Sequence, residues 1–337
     1  MTKPKKITSL LMCLSAALLF SCGNSNEENV AKQDTFRGVY YWRTSFKTDS
    51  AEKAFLAENR VGRMYVRFFD VDVNPDKYSL DTCMPVATIT FADPLPKDVE
   101  IVPTVFITTK AIMHYNTFTQ MLARRIYSMC ELNDISPREI QFDCDWNQST
   151  VKHYFDFLKK ITKEMRNFLP DIKISSTIRL HQLSQTPPPV DKGVLMCYNT
   201  GNFRDFNATN SILDTNDVKP YLKHLKNYAL PMDIALPVYA WNVEFDSEKQ
   251  FSGLNASNYD FSDTTVITPQ ASNLYKIHLH GEKTKFVRHE AVSAQTILRT
   301  KKMLLDAMGS QPNIILYHLD SEQLSKYTKD EITEIYR

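Results

Sequence analysis

The sequence predicts an α/β protein built as a single (β/α)8 barrel. Three observations carry this. Eight segments of strand character follow one another along the chain, most of them trailed by a helical pattern, as a barrel of about 250 residues or more requires. Two of the strands, Glu139–Asn147 and Ile172–His181, alternate polar and apolar residues, so each has one polar face. The 8 glycines form no G-x-G-x-x-G and no Gly/Ser linker. A doubly wound open sheet is the competing architecture, but it calls for continuously apolar strands and a glycine-rich first turn.

In chain order, Arg37–Arg43 (RGVYYWR) is the first strand and Ser50–Val61 a helix with Ala51, Phe55 and Leu56 inward. Arg63–Asp72 (RMYVRFFDVD) is the second strand, and Val86–Phe91 a short inserted one. Glu100–Thr108 is the third, followed by an amphipathic helix over Phe118–Leu132. The fourth strand is Glu139–Asn147, with Gln141, Asp143, Asp145 and Asn147 on its inner face and Ile140, Phe142, Cys144 and Trp146 outward. Ser149 or Thr150 caps the next helix, whose stripe is Tyr154, Phe155, Leu158, Ile161, Met165 and Phe168. The fifth strand, Ile172–His181, turns Ser175, Thr177, Arg179 and His181 to one face. Pro187-Pro188-Pro189 forbids a normal helix after it. Gly193–Asn199 is the sixth strand, Val218–Tyr228 a helix, and Asp233–Trp241 the seventh strand. Asn242–Phe286 reads as an inserted loop or hairpin. Ala291–Met308 is a helix closed by Gly309, Asn313–Asp320 the eighth strand, and Glu322–Tyr336 the last helix.

Ahead of the barrel, Lys3, Lys5 and Lys6 precede a short apolar run, Ile7–Phe20, which reads as a secretion signal over residues 1–21. The run ends Leu19-Phe20-Ser21-Cys22-Gly23. This resembles a bacterial lipobox, with Phe20 where a small residue is usual, and implies a lipid on Cys22. Residues 22–35 read as a lipidated flexible tether and 36–337 as the barrel. The expected location is the cell envelope, at an outer membrane or cell surface, with the membrane contacted through the N-terminal lipid. Without the three signal lysines, 37 basic residues face 39 acidic ones, so charge makes no case for nucleic acid. Of the 6 cysteines none forms C-x-x-C, which excludes zinc ribbons and thioredoxin chemistry. Cys144 and Cys197 fall at outward positions, as buried free thiols. No phosphate-binding loop and no G-x-S-x-G elbow is present, and no cofactor is expected.

The end of the fourth strand resembles the signature of family 18 glycoside hydrolases, D-x-x-D-x-D-x-E. The chain reads Ile140-Gln141-Phe142-Asp143-Cys144-Asp145-Trp146-Asn147. Met196-Cys197-Tyr198-Asn199 stands against that family's M-x-Y-D, and Leu236-Pro237-Val238-Tyr239 against its G-x-P-x-Y. The resemblance implies a chitinase-like barrel that handles carbohydrate. The family's proton donor falls on Asn147, which cannot deliver a proton. Either the acid lies elsewhere or the chain binds without cleaving.

On the first alternative Asp145 is the candidate acid, with Asp143 beneath it raising its pKa and Glu244 or Asp320 as its partner. Arg67, Arg179, Tyr198 and Asn199 would position substrate, with Asp143 and Asn147 at the same strand end. Tyr239 and Trp241 offer aromatic faces to sugar rings. On the second alternative Asp143, Asp145, Arg67 and Arg179 form a neutral buried network. His181 and His318 are strand-end hydrogen-bonding residues or bases. His278, His280 and His289 lack supporting acid spacing, and no metal is expected. Asp72 with Asn74 could take a cation or make a turn.

Overall fold

The computed structural model describes residues 35–337 except 77, 80, 256–258 and 279–283. The signal segment, Cys22, most of the tether and His280 lie outside the described residues. Eight parallel strands close into a ring: β1 (Arg37–Tyr41), β2 (Val61–Val73), β3 (Glu100–Ile107), β4 (Glu139–Asp143), β5 (Lys173–Arg179), β6 (Lys192–Met196), β7 (Met232–Pro237) and β8 (Ile314–Tyr317). Each pairs with its neighbours in sequence order, and β1 pairs with both β2 and β8. The (β/α)8 reading is the observed architecture.

The helices cover the ring for the reason their stripes suggest. In the helix Val151–Phe168, Tyr154, Phe157, Leu158, Ile161 and Met165 are buried on one face. The Tyr154 hydroxyl also donates to the Phe142 carbonyl at 3.1 Å and meets Ser176 Oγ at 2.7 Å, which registers the helix on β4 and β5. After β5 the chain makes only a 3-10 turn, Leu180–Ser184, as the three prolines require. The helix expected over Val218–Tyr228 is instead three short pieces, Thr215–Val218, Lys219–Tyr221 and Leu222–Leu225. Pro220 lacks the N–H that would continue the first piece. The inserted strand expected at Val86–Phe91 is two: Cys83–Val86 runs antiparallel to β2, and Thr90–Phe91 pairs with Ser45–Phe46.

At the N-terminal end of the ring the interior is ionic. Arg63 bridges Glu100 at 2.9 Å and Glu139 at 3.1 Å. Lys192 bridges Glu139 at 3.0 Å and Asp233 at 2.8 Å. The Phe36 ring closes this end, 4.0 Å from the Arg63 guanidinium carbon and 5.2 Å from Lys192 Nζ. Its amide donates to Asn313 Oδ1 at 2.8 Å.

The insertion after β7 is a five-stranded antiparallel sheet, in the order Phe251–Asn255, Ala240–Phe245, Lys285–Ala291, Leu274–Ile277, Ile267–Pro269. A buried ion pair in its third strand, Arg288 to Glu290 at 2.6 Å, ties it to the loop after β6. Arg288 donates to the carbonyls of Phe203, Asp205 and Phe206, and Glu290 accepts from Ser211 N and Oγ. Each nitrogen of the guanidinium and each oxygen of the carboxylate thereby has a partner, which is what makes the burial of the pair tolerable.

Candidate functional site

The C-terminal ends of β4, β5 and β6 enclose a cleft of about 310 Å³, whose polar lining includes Asp145, Arg179, His181, Tyr198, Asn199 and Thr200. Asp145 is the only carboxylate among the described residues that line it. Alternation along β4 puts Gln141 and Asp143 inside the ring. Gln141 accepts from the Tyr40 hydroxyl at 2.8 Å. Asp143, 3% exposed, accepts from Thr177 Oγ1 at 2.5 Å and Arg179 Nη2 at 3.0 Å. Arg179 Nε reaches Asp145 at 2.6 Å, and the Asp145 side chain is 56% exposed. One guanidinium therefore serves a buried and an open carboxylate in two charge-assisted bonds.

The electrostatics follow from depth. Burial pushes the Asp143 carboxyl up, Arg179 opposes this, and Asp145 adds to the rise. Burial pushes the Arg179 guanidinium down, but the two carboxylates outweigh it and hold it above its ordinary value. Gln182 fixes the geometry behind the pair: it accepts from Arg179 N at 2.8 Å and donates to the Trp146 carbonyl at 2.9 Å.

The four-member network expected of Asp143, Asp145, Arg67 and Arg179 is not formed. Arg67 pairs with Asp70 instead, with its guanidinium carbon 5.6 Å from the Trp42 ring centroid. The register shift between Arg67 and Phe69 explains this. A bulge adds a residue to the strand and brings Asp70 onto the face of Arg67. Asn147 is exposed, and its Oδ1 accepts from Ser149 N and Oγ at 2.9 and 2.7 Å. Thr150 stands at the N-cap position of the helix Val151–Phe168 without a side-chain cap bond.

Neither partner expected for Asp145 lines the cleft. Glu244 lies in the insert, where it accepts from Asn255 at 3.0 Å and from Tyr259, with Lys285 at 3.4 Å. Burial raises its carboxyl, but these donors together hold it below its ordinary value. Asp320 caps the short helix Ser321–Leu324 by accepting from Gln323 N at 2.9 Å. His318 is largely buried, which pushes its imidazole down. His289 meets Asn242 Oδ1 at 2.8 Å, and no metal-holding cluster occurs among the described residues. Asp72 accepts from Thr108 at 2.8 Å, and Asn74 accepts from Asp76 N, which makes a turn.

Aromatic rings continue from the cleft along the mouth. Tyr198 stacks on Tyr317 at 4.5 Å, and Tyr239 meets both edge-on at 6.2 and 5.6 Å. Trp42 stands 6.0 Å from Tyr317 and Trp241 5.6 Å from Tyr239, both half-buried. Burial keeps the Tyr239 phenol protonated, and it donates to Asn199 Oδ1 at 2.6 Å. Asn199 itself sits at φ 52, a left-handed conformation that Asn tolerates well. Thr177, Thr200 and Tyr317 belong to the site but were not among the sequence candidates. Thr177 shares the face of Arg179 on the alternating fifth strand, and that parity is the signal that could have found it.

No protein-family model matches the chain, and no curated protein matches it. Solved structures share its fold. The Bacillus cereus spore cortex-lytic enzyme SleL superposes with a TM-score of 0.52 at 15% identity, over 90% of this chain and 75% of that one. A class V chitinase mutant from Cycas revoluta, solved with (GlcNAc)3, superposes with 0.52 at 8% identity, over 90% and 100%. A chitinase from Bacteroides thetaiotaomicron gives 0.50 at 10% identity, over 85% and 91%. At such identities the likeness is one of fold, and it is to barrels of the family 18 type, as the fourth strand implies.

Proposed function

We propose that this glycoside-hydrolase-like barrel is a glycan-binding protein, tethered to a membrane of the cell envelope by a lipid on Cys22, that holds an N-acetylglucosamine-containing saccharide without cleaving it. The observation that carries this is the Asp145–Arg179 pair in a cleft lined by no second carboxylate among the described residues. Glycoside hydrolysis needs a carboxylic acid to protonate the leaving oxygen; in barrels of the family 18 type the acetamide of the sugar serves as nucleophile, so the acid is the one protein carboxyl that cannot be missing. The family's acid position is Asn147, an amide engaged in a turn. Asp145 accepts from a guanidinium, and Asp143 is buried under it with Thr177 and Arg179 as donors.

What remains suits recognition. Asp145, Arg179, Asn199 and Thr200 present donors and acceptors for sugar hydroxyl and amide groups. The half-buried rings of Trp42, Tyr317 and Trp241 offer apolar faces beside them. Two structures of mutant chitinase from Cycas revoluta that share the fold hold (GlcNAc)3 and (GlcNAc)4, which supports the choice of ligand class. The test is a glycan array, followed by prolonged incubation of the protein with the best ligands and chromatography of the products. Binding with undegraded ligand is expected. Release of shorter saccharides would establish a hydrolase and overturn the proposal.

A further inference from the structure

We propose that the insert after β7 forms its own covalent cross-link, an amide bond between the Lys285 amine and the Asn255 side chain, with Glu244 as the proton carrier. The bond is independent of whether the chain binds a glycan.

Three reactive side chains come from three adjacent strands. Glu244 lies on the central strand Ala240–Phe245. Asn255 ends Phe251–Asn255 on one side of it, and Lys285 begins Lys285–Ala291 on the other. Asn242 pairs with Asn255 and Glu244 with Val287, so alternation turns Glu244, Asn255 and Lys285 to one face of the sheet. They meet at one atom. Glu244 Oε1 accepts from Asn255 Nδ2 at 3.0 Å and from Lys285 Nζ at 3.4 Å. The Tyr259 hydroxyl donates to the same oxygen and accepts from Lys285 Nζ at 2.8 Å. The same face buries Ile267, Ile277 and Val287, with Phe261 and Tyr275 packed on them. The carboxylate and the amine are largely withdrawn from water, with side chains 18% and 27% exposed.

An amine, a carboxamide and a carboxylate suffice for amide exchange, because the only by-product is ammonia and nothing is oxidised or reduced. Burial pushes the Lys285 ammonium down, but Tyr259 and Glu244 outweigh it and hold it above its ordinary value. The first step is therefore transfer of a proton from Nζ to Glu244. The freed electron pair attacks Asn255 Cγ, the Nζ–Cγ bond forms, and the carbonyl electrons move onto Oδ1. Nζ then gives up a second proton, and Glu244 passes one on to Nδ2. As the carbonyl re-forms, the Cγ–Nδ2 bond breaks and ammonia leaves. The ammonia takes the remaining proton away as ammonium, which restores the Glu244 carboxylate. The product joins the two strands that flank Ala240–Phe245 and closes the chain from residue 255 to residue 285 into a ring. A closed ring restricts the unfolded chain as a disulfide does, in an insert that contains no cysteine. Hydrogen bonds alone would hold the same three side chains together, but would leave their masses unchanged.

The experiment is a peptide map of the full chain, denatured and digested with trypsin. Lys276 lies between the two positions, so the digest separates the segment bearing Asn255 from the one bearing Lys285. In the wild type mass spectrometry should find the two joined as one branched species, lighter than the linear peptides together by one ammonia. It should be uncut after Lys285, whose acylated amine trypsin does not accept. Glu244→Gln keeps the shape of the carboxylate and cannot carry the proton, so the branched species should fall at least about tenfold and both linear peptides appear. Only linear peptides from the wild type would overturn the cross-link. As much branched species from Glu244→Gln as from the wild type would overturn the role of Glu244. Should that variant fail to fold, the wild-type map still decides by the presence or absence of the bond.

Discussion

The Nε of Arg179 lies 2.6 Å from the Oδ1 of Asp145, and the same guanidinium reaches Asp143 beneath. Arg179→Met would leave two carboxylates facing each other without this cation. Breaking a buried pair costs about 3–5 kcal/mol, a large part of a domain's stability. The loss should depend on pH. Asp143 already has a raised folded pKa, and removing Arg179 raises it further. Between its ordinary 3.8 and that raised value the folded state keeps a proton the unfolded chain has lost, so stability falls as pH rises. Melting curves across pH should show a small deficit in acid and a large one at neutrality. A deficit of constant size would contradict the arrangement.

Asp145→Asn keeps the shape and one acceptor of the open carboxylate. Its side chain is more than half exposed, so folding should change by no more than about 0.5 kcal/mol. Glycan affinity should fall about tenfold, the scale of one charge-assisted hydrogen bond. Calorimetry that finds unaltered binding would move the site elsewhere.

Cys144 and Cys197 are fully buried, and sequence parity turns each outward from the ring. Burial pushes the Cys197 thiol up to about 12 and Cys144 well above its ordinary value, and a thiol without thiolate character does not attack alkylating reagents. Both should resist iodoacetamide in the native protein and react at once in denaturant. Mass spectrometry that shows native labelling, or a disulfide between them, would contradict the outward register.

If Cys22 carries the lipid, wild-type protein should sediment with membranes and Cys22→Ala should remain in the supernatant. Equal partitioning of the two would remove the anchor from the proposed function.

The barrel is legible in the sequence because each element signals locally. The three prolines after β5 announce a missing helix, and alternation in β4 and β5 places Asp143, Thr177 and Arg179 inside. Parity works for them because the β4–β5 pairing is regular. It fails at Arg67, because a bulge leaves no mark in Arg-Phe-Phe-Asp and still moves Asp70 onto the facing side. Glu244 was beyond reach for another reason. Its partners Asn255, Tyr259 and Lys285 come from separate parts of the insert, and a stretch of polar and aromatic residues does not announce which strands will pair.

Phe36 closes the barrel at the end opposite the cleft, where the chain enters β1. For a protein held from that side and gripping a polymer at the other, tension runs lengthwise along β1. The hydrogen bonds that flank β1, to β2 on one edge and β8 on the other, lie across this line. They are then loaded together, in shear, and none can open before the rest. On the proposed function, β1 would join anchor to binding face and is in this way the strand placed to carry mechanical load.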